Sequence, residues 1–533
     1  MFNRIAFVLI VVLVGFSPLT RSQERPERAG PRRAAAAAIA PAATQQQGRD
    51  GEKAKPQTQP VAEKLSVTEH ELKIGDDQTL KYRATAGTMP LKDEAGKARA
   101  NFFYVAYEKT GDDIAVEKRP ITFVFNGGPG AAAIWLHLGT AGPKRVELAA
   151  DGLPGNPPYR LIDNPSTWLV QTDLVFIDPV GTGYSRPAEG VKGEEFYGVQ
   201  QDIDSVSEFI RLYLVKGQRW ASPKFVAGES YGTTRAALLS EHLLDRQGIA
   251  LNGVILISTV LSFQTLSPND ANDLPYALYL PSYTACAFYH KKLPQDLQSN
   301  LAKTLDEAKK WTTEVYAPAL LRGDQLSADE RKSLATSLVR YTGLSEKIVE
   351  QSRLRISPSV FEKRLLEDDD KVIGRFDGRV AGQATNPIAS YQDYDPSLSL
   401  YVGVYSGTFN DYIRRTLKFE SDVQYEFLSG RVQPWNWGRG GNGGWLYVGD
   451  NLRDAVSKHP TLKVLVCSGY YDLATPFFAT DYQVSHLGVS SSLRKNIRQT
   501  YYEGGHMMYH PHASQEKLNK DIKDFMAWAT GTE

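Results

Sequence analysis

The sequence is poor in cysteine, carries no net charge and contains no apolar run long enough to cross a bilayer. Two cysteines in 533 residues, Cys286 and Cys467, exclude a disulfide-rich scaffold and a zinc or iron–sulfur site built from thiolates. One disulfide between them is the remaining alternative, although Cys467 lies in an apolar, strand-like run where a free thiol is the commoner occupant. Lys and Arg together number 61, as do Asp and Glu, so no global basic field exists to gather nucleic acid. The longest apolar run, residues 5–16, falls short of the ~20 residues of a spanning helix.

What is present is a globular composition, 42% hydrophobic and 23% charged, on a chain long enough for a large core or several domains. Arg4 precedes the short apolar run, and Pro18, Thr20 and Ser22 follow it. That order describes a secretory signal over residues 1–22, with an uncleaved anchor as the alternative. It places the mature protein in the periplasm or outside the cell, with no membrane span after signal removal. No cysteine follows the run, so lipid attachment there is unsupported. Residues 23–60 are rich in Pro, Ala, Gln and Arg, with five alanines at 34–38. Such a segment cannot bury enough surface to offset its ordering entropy and reads as a flexible tether.

From residue 61 onward, two strand-like stretches, 80–86 and 102–107, suggest an antiparallel hairpin. Six short apolar runs follow, at 121–125, 174–177, 225–227, 254–257, 464–466 and 500–502. Helix-length amphipathic segments, such as 203–215 and 233–244, separate most of them. Strands that alternate with helices and are apolar at every position indicate an α/β fold, a mostly parallel sheet covered on both faces. The gap between the fourth and fifth runs is too long for one crossover. Helical spacing at 296–311 and 328–341 suggests a mostly helical insertion over 262–400, placed above the strand ends. The core then divides into a first part, 61–261, and a second, 401–533.

Three short motifs carry chemistry. Gly228-Glu229-Ser230-Tyr231-Gly232 sits between a strand-like run and a helical one. A Gly-x-Ser-x-Gly pattern alone is weak, but in a strand–turn–helix setting it projects the serine hydroxyl over a helix N-terminus, where a developing negative charge is favoured. Such a serine needs a base, and the base an orienting carboxylate, in the chain order Ser, Asp or Glu, His. Asp472 follows the run 464–466, and His506, within Gly504-Gly505-His506-Met507, follows 500–502. An oxyanion hole takes the amide of Tyr231 and one from a glycine loop after an early strand. Asn126-Gly127-Gly128-Pro129-Gly130 is such a loop. His510 and His512 read as residues of a surface loop. With no carboxylate interleaved and Pro511 between them, they and His506 make no metal site. The chemistry calls for no cofactor.

Together with Asp178-Pro179-Val180-Gly181-Thr182-Gly183-Tyr184-Ser185, these motifs resemble the serine carboxypeptidase family, from about residue 80 to the C-terminus. The resemblance implies an α/β-hydrolase fold with a helical lid and a bacterial-type member. It implies Ser230 as nucleophile, His506 as general base, Asp472 as its orienter, and the amides of Gly128 and Tyr231 as the oxyanion hole. It further implies that Asn126, the Gly127 amide and Glu229 hold a peptide's terminal carboxylate, with Met507 lining the pocket for the terminal side chain. Ala131 stands where eukaryotic members carry a disulfide cysteine. Thr140 stands where the family often has a second acid paired with the one at 229, which leaves that clamp incomplete. The expected activity is release of C-terminal residues from peptides through an acyl-enzyme. An esterase or acyltransferase using the same triad is the alternative, and a catalytically silent binding protein a third reading. Oligomeric state and side-chain preference are not legible.

Overall fold

A strand that is apolar at every position must bury both its faces, and this chain meets that demand with one large sheet between two helical layers. The computed structural model describes residues 63–75, 78–111, 115–438 and 445–532; the expected signal and tether lie outside them. Three antiparallel strands open the sheet: β1 (Leu65–Ile74), β2 (Gln78–Lys92) and β3 (Ala98–Thr110). Six parallel strands follow: β4 (Ile121–Phe125), β5 (Asp173–Asp178), β6 (Lys224–Ser230), β7 (Gly253–Thr259), β8 (Lys463–Gly469) and β9 (Ile497–Tyr502). The order across the sheet is β1-β2-β3-β5-β4-β6-β7-β8-β9. Neighbours from β5 to β9 are all parallel, and β3 joins β5 antiparallel. All six apolar runs read from the sequence fall in these strands, and the expected hairpin is the β2–β3 pair.

Alternate side chains of each parallel strand feed different cores, as a period of two requires. Phe225 and Ala227 of β6, with Ile255 and Ile257 of β7, pack with Leu518, Ile522 and Phe525. Val226, Val254 and Leu256 face the other way, against Val206, Phe209 and Leu239. The first three of those partners lie on α9 (His512–Thr530). The second set lies on α1 (Val199–Lys216) and α2 (Tyr231–Gln247).

Between β7 and β8 the chain is largely helical, with α3 (Leu274–Tyr289), α4 (Leu301–Trp311), α5 (Ala328–Thr342) and α6 (Pro396–Arg415). The expected helix at 296–311 starts only at Leu301. Asn300 adopts an extended conformation there, and its side chain accepts the Lys303 N–H, which fixes the start. Helix α5 begins with a reciprocal Ser327–Glu330 capping box. Two further helices, α7 (Gly449–Lys458) and α8 (Phe477–Ser485), flank β8 in sequence.

Both thiols are free and buried. Among the described residues no helix is long and apolar enough to cross a membrane, and no group of three or more His, Cys, Asp or Glu side chains is arranged to hold a metal.

Candidate active site

The residues expected to act together converge at the C-terminal ends of β4, β6, β8 and β9. Strand β6 runs directly into α2 at Ser230, whose φ of 61° and ψ of −129° lie in a region a non-glycine residue occupies at a cost of about 1–3 kcal/mol. That conformation lifts the serine out of the strand at the first turn of a 17-residue helix, where unpaired N–H groups and the helix dipole favour an anion. The flanking glycines are dictated by close approach. A Cβ on Gly228 would stand 2.1 Å from the Gly232 carbonyl oxygen, and one on Gly232 would stand 2.9 Å from that of Phe125.

The loop after β4 presses on this elbow. A Cβ on Gly127 would lie 2.3 Å from the Tyr231 nitrogen and 2.7 Å from the Glu229 carbonyl oxygen. Gly128 takes a φ of +100°, and its N–H has no acceptor among the described residues. Arg235, buried and paired with Asp202 at 2.7 Å, donates from Nη1 to the Asn126 carbonyl at 2.6 Å. Arg235 of α2, held by Asp202 of α1, thus ties the glycine loop to the helix that carries the elbow.

Asp472 follows β8 and is fully buried. Its Oδ1 accepts the N–H groups of Ala474 and Thr475 at 2.7 and 2.9 Å, and its Oδ2 accepts the Thr475 hydroxyl at 2.7 Å. Oδ2 also meets His506 Nδ1 at 2.8 Å. The His506 loop is held on three sides. Its N–H donates to the Phe376 carbonyl at 2.5 Å, its carbonyl accepts the Ser258 hydroxyl at 2.6 Å, and its ring lies 5.0 Å from that of Phe376. Burial alone would lower the imidazole pKa. The charge of Asp472 and the hydrogen bond to it outweigh that, with Glu229 adding to them, so the pKa is raised.

Glu229 is buried beside the nucleophile. Its Oε1 accepts from Asn126 Nδ2 at 2.8 Å and its Oε2 from the Tyr509 hydroxyl at 2.7 Å. Asn126 is engaged at both ends, since its Oδ1 accepts the Leu136 N–H at 3.1 Å. Burial pushes the Glu229 carboxyl up to about 7, against the opposing pull of His506 and Tyr509. Thr140 is buried, and its hydroxyl has no hydrogen-bond partner among the described residues. Met507 is buried in the core cluster that also holds Tyr405 and Tyr509.

The site corrects the reading of His510. It is not a surface residue but is buried, with Nε2 2.8 Å from the Tyr405 hydroxyl and its ring 4.1 Å from that of Tyr401; burial lowers its pKa to about 3. The tyrosines come from α6, about a hundred residues earlier in sequence. His512 is half-buried at the start of α9. Sequence reasoning also missed Tyr509, Thr475 and the Arg235–Asp202 pair. Tyr509 lay within reach, three residues past His506; the other two carry no local signal.

The segment 374–378, from the stretch read as an insertion, lies against this machinery. The Leu473 N–H donates to the Arg375 carbonyl at 3.0 Å, and the Gly378 N–H to that of Tyr471 at 2.9 Å. A Cβ on Gly505 would stand 2.3 Å from the Phe376 carbonyl oxygen.

Residues 75–519 match the family described as serine carboxypeptidase. A curated relative, the pheromone-processing carboxypeptidase KEX1 of Cryptococcus gattii serotype B (strain WM276 / ATCC MYA-4071), is 27% identical over 165 residues. That match covers 30% of this chain and only 22% of the relative's length. A solved lipase in its open form overlaps 83% of this chain and 98% of its own, at 13% identity and a TM-score of 0.34. A peroxisomal α/β-hydrolase, Lpx1 of Saccharomyces cerevisiae, overlaps 87% and 89% at 10% identity and 0.31. At those scores the overlaps add nothing to the strand order described above.

Proposed function

This chain belongs to the serine carboxypeptidase family, and from that premise we propose that it releases C-terminal residues from peptides, with Ser230 as nucleophile, His506 as general base and Asp472 as the residue that orients the base. The observation that carries the reading is the 2.8 Å contact of His506 Nδ1 with Asp472 Oδ2, in a chain whose Ser230 is held in a strained elbow. Asp472 keeps the imidazole proton on Nδ1, which leaves Nε2 free to take the serine proton as the hydroxyl attacks the scissile carbonyl. The oxyanion then forms against the N–H groups of Gly128 and Tyr231. The imidazolium returns the proton to the departing amine, the acyl-enzyme remains on Ser230, and water activated by His506 releases the shortened peptide.

The same reading assigns the terminal carboxylate to the Gly127 amide and Glu229. With a pKa near 7, Glu229 can hold the proton that lets two carboxyl groups lie side by side. Asn126 then acts chiefly by fixing Glu229, and Met507 borders the terminal side chain. Residues 262–400 act as the lid, through contacts such as Phe376 with His506. The N-terminal run places the enzyme in the periplasm or outside the cell, which signal-dependent export of a tagged full chain would test.

Esterase or acyltransferase chemistry is the second reading, favoured by Thr140 at the position expected to hold a second acid. A panel of free-acid peptides, their C-terminal amides and simple esters separates the two. Preferential cleavage of free-acid peptides supports the carboxypeptidase reading, and turnover of esters alone replaces it.

A further inference from the structure

A buried carboxyl beside a nucleophile must be held by hydrogen bonds, and the two partners of Glu229 differ in kind. Asn126 is fixed as a donor: its Oδ1 accepts the Leu136 N–H, so its Nδ2 faces Glu229 Oε1. The second partner, the Tyr509 hydroxyl 2.7 Å from Oε2, comes from the loop after β9, and the surroundings are shaped to it. His506 and His510 hold that loop on either side of Tyr509. The first is held by the Ser258 hydroxyl at its carbonyl, the second by the Tyr405 hydroxyl at its Nε2. The Tyr509 ring crosses the backbone at Gly139, where a Cβ would stand 2.4 Å from its Cε2 and 2.7 Å from the Tyr405 hydroxyl oxygen. No side chain fits at 139 while Tyr509 stands there. The neighbouring Thr140 supplies no acid, and its buried hydroxyl has no hydrogen-bond partner among the described residues.

The titratable groups that face Glu229 show what this hydroxyl does. Burial raises the carboxyl pKa; against it, His506 and the Tyr509 hydrogen bond favour the charged form, Asp472 opposes that form, and Asn126 favours it. Tyr405 of α6 faces Glu229 too, as a hydroxyl kept neutral by burial and by that carboxyl. A second carboxyl at this place would share a proton with Glu229, and the two would titrate as a coupled pair. A phenol does not. Burial and the Glu229 charge raise the Tyr509 pKa well above its usual value, so the hydroxyl stays protonated and donates to the carboxylate.

We infer that Tyr509 is a positioning residue of this enzyme: in the absence of a second acid its hydroxyl fixes the Glu229 carboxyl, so that a single carboxyl against a neutral donor, and not an acid pair, governs the pH range over which peptides bind. The inference rests on the carboxypeptidase reading above.

The test compares Tyr509→Phe with wild type in two ways. One is the pH dependence of KM and kcat for a free-acid peptide. The other is the infrared titration of the Glu229 carboxyl, assigned by its absence in Glu229→Gln. Loss of the donor should move the Glu229 titration, and with it the rise of KM, upward by about one pH unit. The His506 limb in kcat should move the other way, to lower pH, because a protonated Glu229 no longer helps to hold the imidazole pKa up. A merely structural role would lower the melting temperature and kcat without driving the two limbs apart. If Tyr509→Phe fails to fold, 3-fluorotyrosine in place of Tyr509 keeps the ring and strengthens the donor, and should shift the Glu229 titration downward. Unmoved limbs in folded Tyr509→Phe, or an unmoved titration in the fluorotyrosine protein, would overturn the inference. A wild type that releases no C-terminal residue from any peptide removes the carboxypeptidase reading, and the peptide-binding part of the inference with it. The infrared titration would still decide whether Tyr509 controls Glu229.

Discussion

Asp472→Asn alters one atom of a carboxylate whose surroundings dictate which oxygen is lost. Oδ1 accepts two backbone N–H groups, those of Ala474 and Thr475, at 2.7 and 2.9 Å. Neither donor can turn away, so the amide oxygen of the asparagine must occupy that position. The NH2 group is then forced to the site of Oδ2, 2.8 Å from His506 Nδ1. There it donates to Nδ1, the ring proton moves to Nε2, and the imidazole can no longer accept a proton from Ser230. The Thr475 hydroxyl, which now donates to Oδ2, can rotate to accept, so the mutant has no reason to unfold. The wrong tautomer costs on the order of 10⁴ in kcat, equivalent to about 5.4 kcal/mol of transition-state stabilisation. Loss of the neighbouring charge should also move the acidic limb of any residual activity to lower pH, since Asp472 holds the His506 pKa up. The assay is steady-state hydrolysis of a free-acid peptide across pH, paired with the rate of fluorophosphonate labelling and a melting curve. A folded mutant within tenfold of wild-type kcat would refute the tautomer argument.

Glu229→Gln removes a group with a pKa of about 7 whose charge also raises that of His506. Free-acid peptides should therefore bind wild type more tightly as pH falls through 7, and the mutant should lose that trend in KM while its His506 limb shifts to lower pH; an unchanged profile contradicts the shared proton. Gly127→Ala would place a methyl 2.3 Å from the Tyr231 nitrogen, so activity should drop by about two orders of magnitude, with a loss of about 1–3 kcal/mol in stability; a fully active alanine variant contradicts the close approach. Glu362 has a native pKa of about 8 against 4.5 unfolded, so the folded state binds the extra proton between those values and stability falls as pH rises through them. The melting temperature of Glu362→Gln relative to wild type should accordingly climb by a few °C between pH 4 and pH 9, and a pH-independent difference contradicts it.

What was legible in the sequence had a local cause. The parallel strands announced themselves because burial on both faces demands an unbroken apolar run, as at 254–257. Ser230, Asp472 and His506 could be picked out because each stands just past such a run, in glycine-rich or turn-forming company. Strand β1 was missed although exposed and half-buried positions alternate along it; in LSVTEHELKI the inward face carries Ser66, Thr68 and His70 in place of large apolar residues, the outward face carries Leu65 and Val67, and the strand pairs only at an edge. The partners of the site were hidden for a different reason. Tyr509 reaches Glu229 across 280 residues of chain, and Phe376 meets the His506 loop only because a segment between β7 and β8 folds back onto it. Such contacts are set by tertiary packing and leave no periodic trace. The burial of His510 belongs here too, since it is set by two tyrosines of α6, about a hundred residues away in sequence.

The central claim is that Ser230 is the nucleophile of a carboxypeptidase. Mass analysis of the products from a free-acid peptide, incubated with wild type and with Ser230→Ala at matched folded concentration, tests it most directly. The account expects wild type to release the C-terminal residue and the alanine variant to fall by roughly 10⁶ in turnover with its melting curve intact. Release of that residue by Ser230→Ala at a rate close to wild type would contradict it.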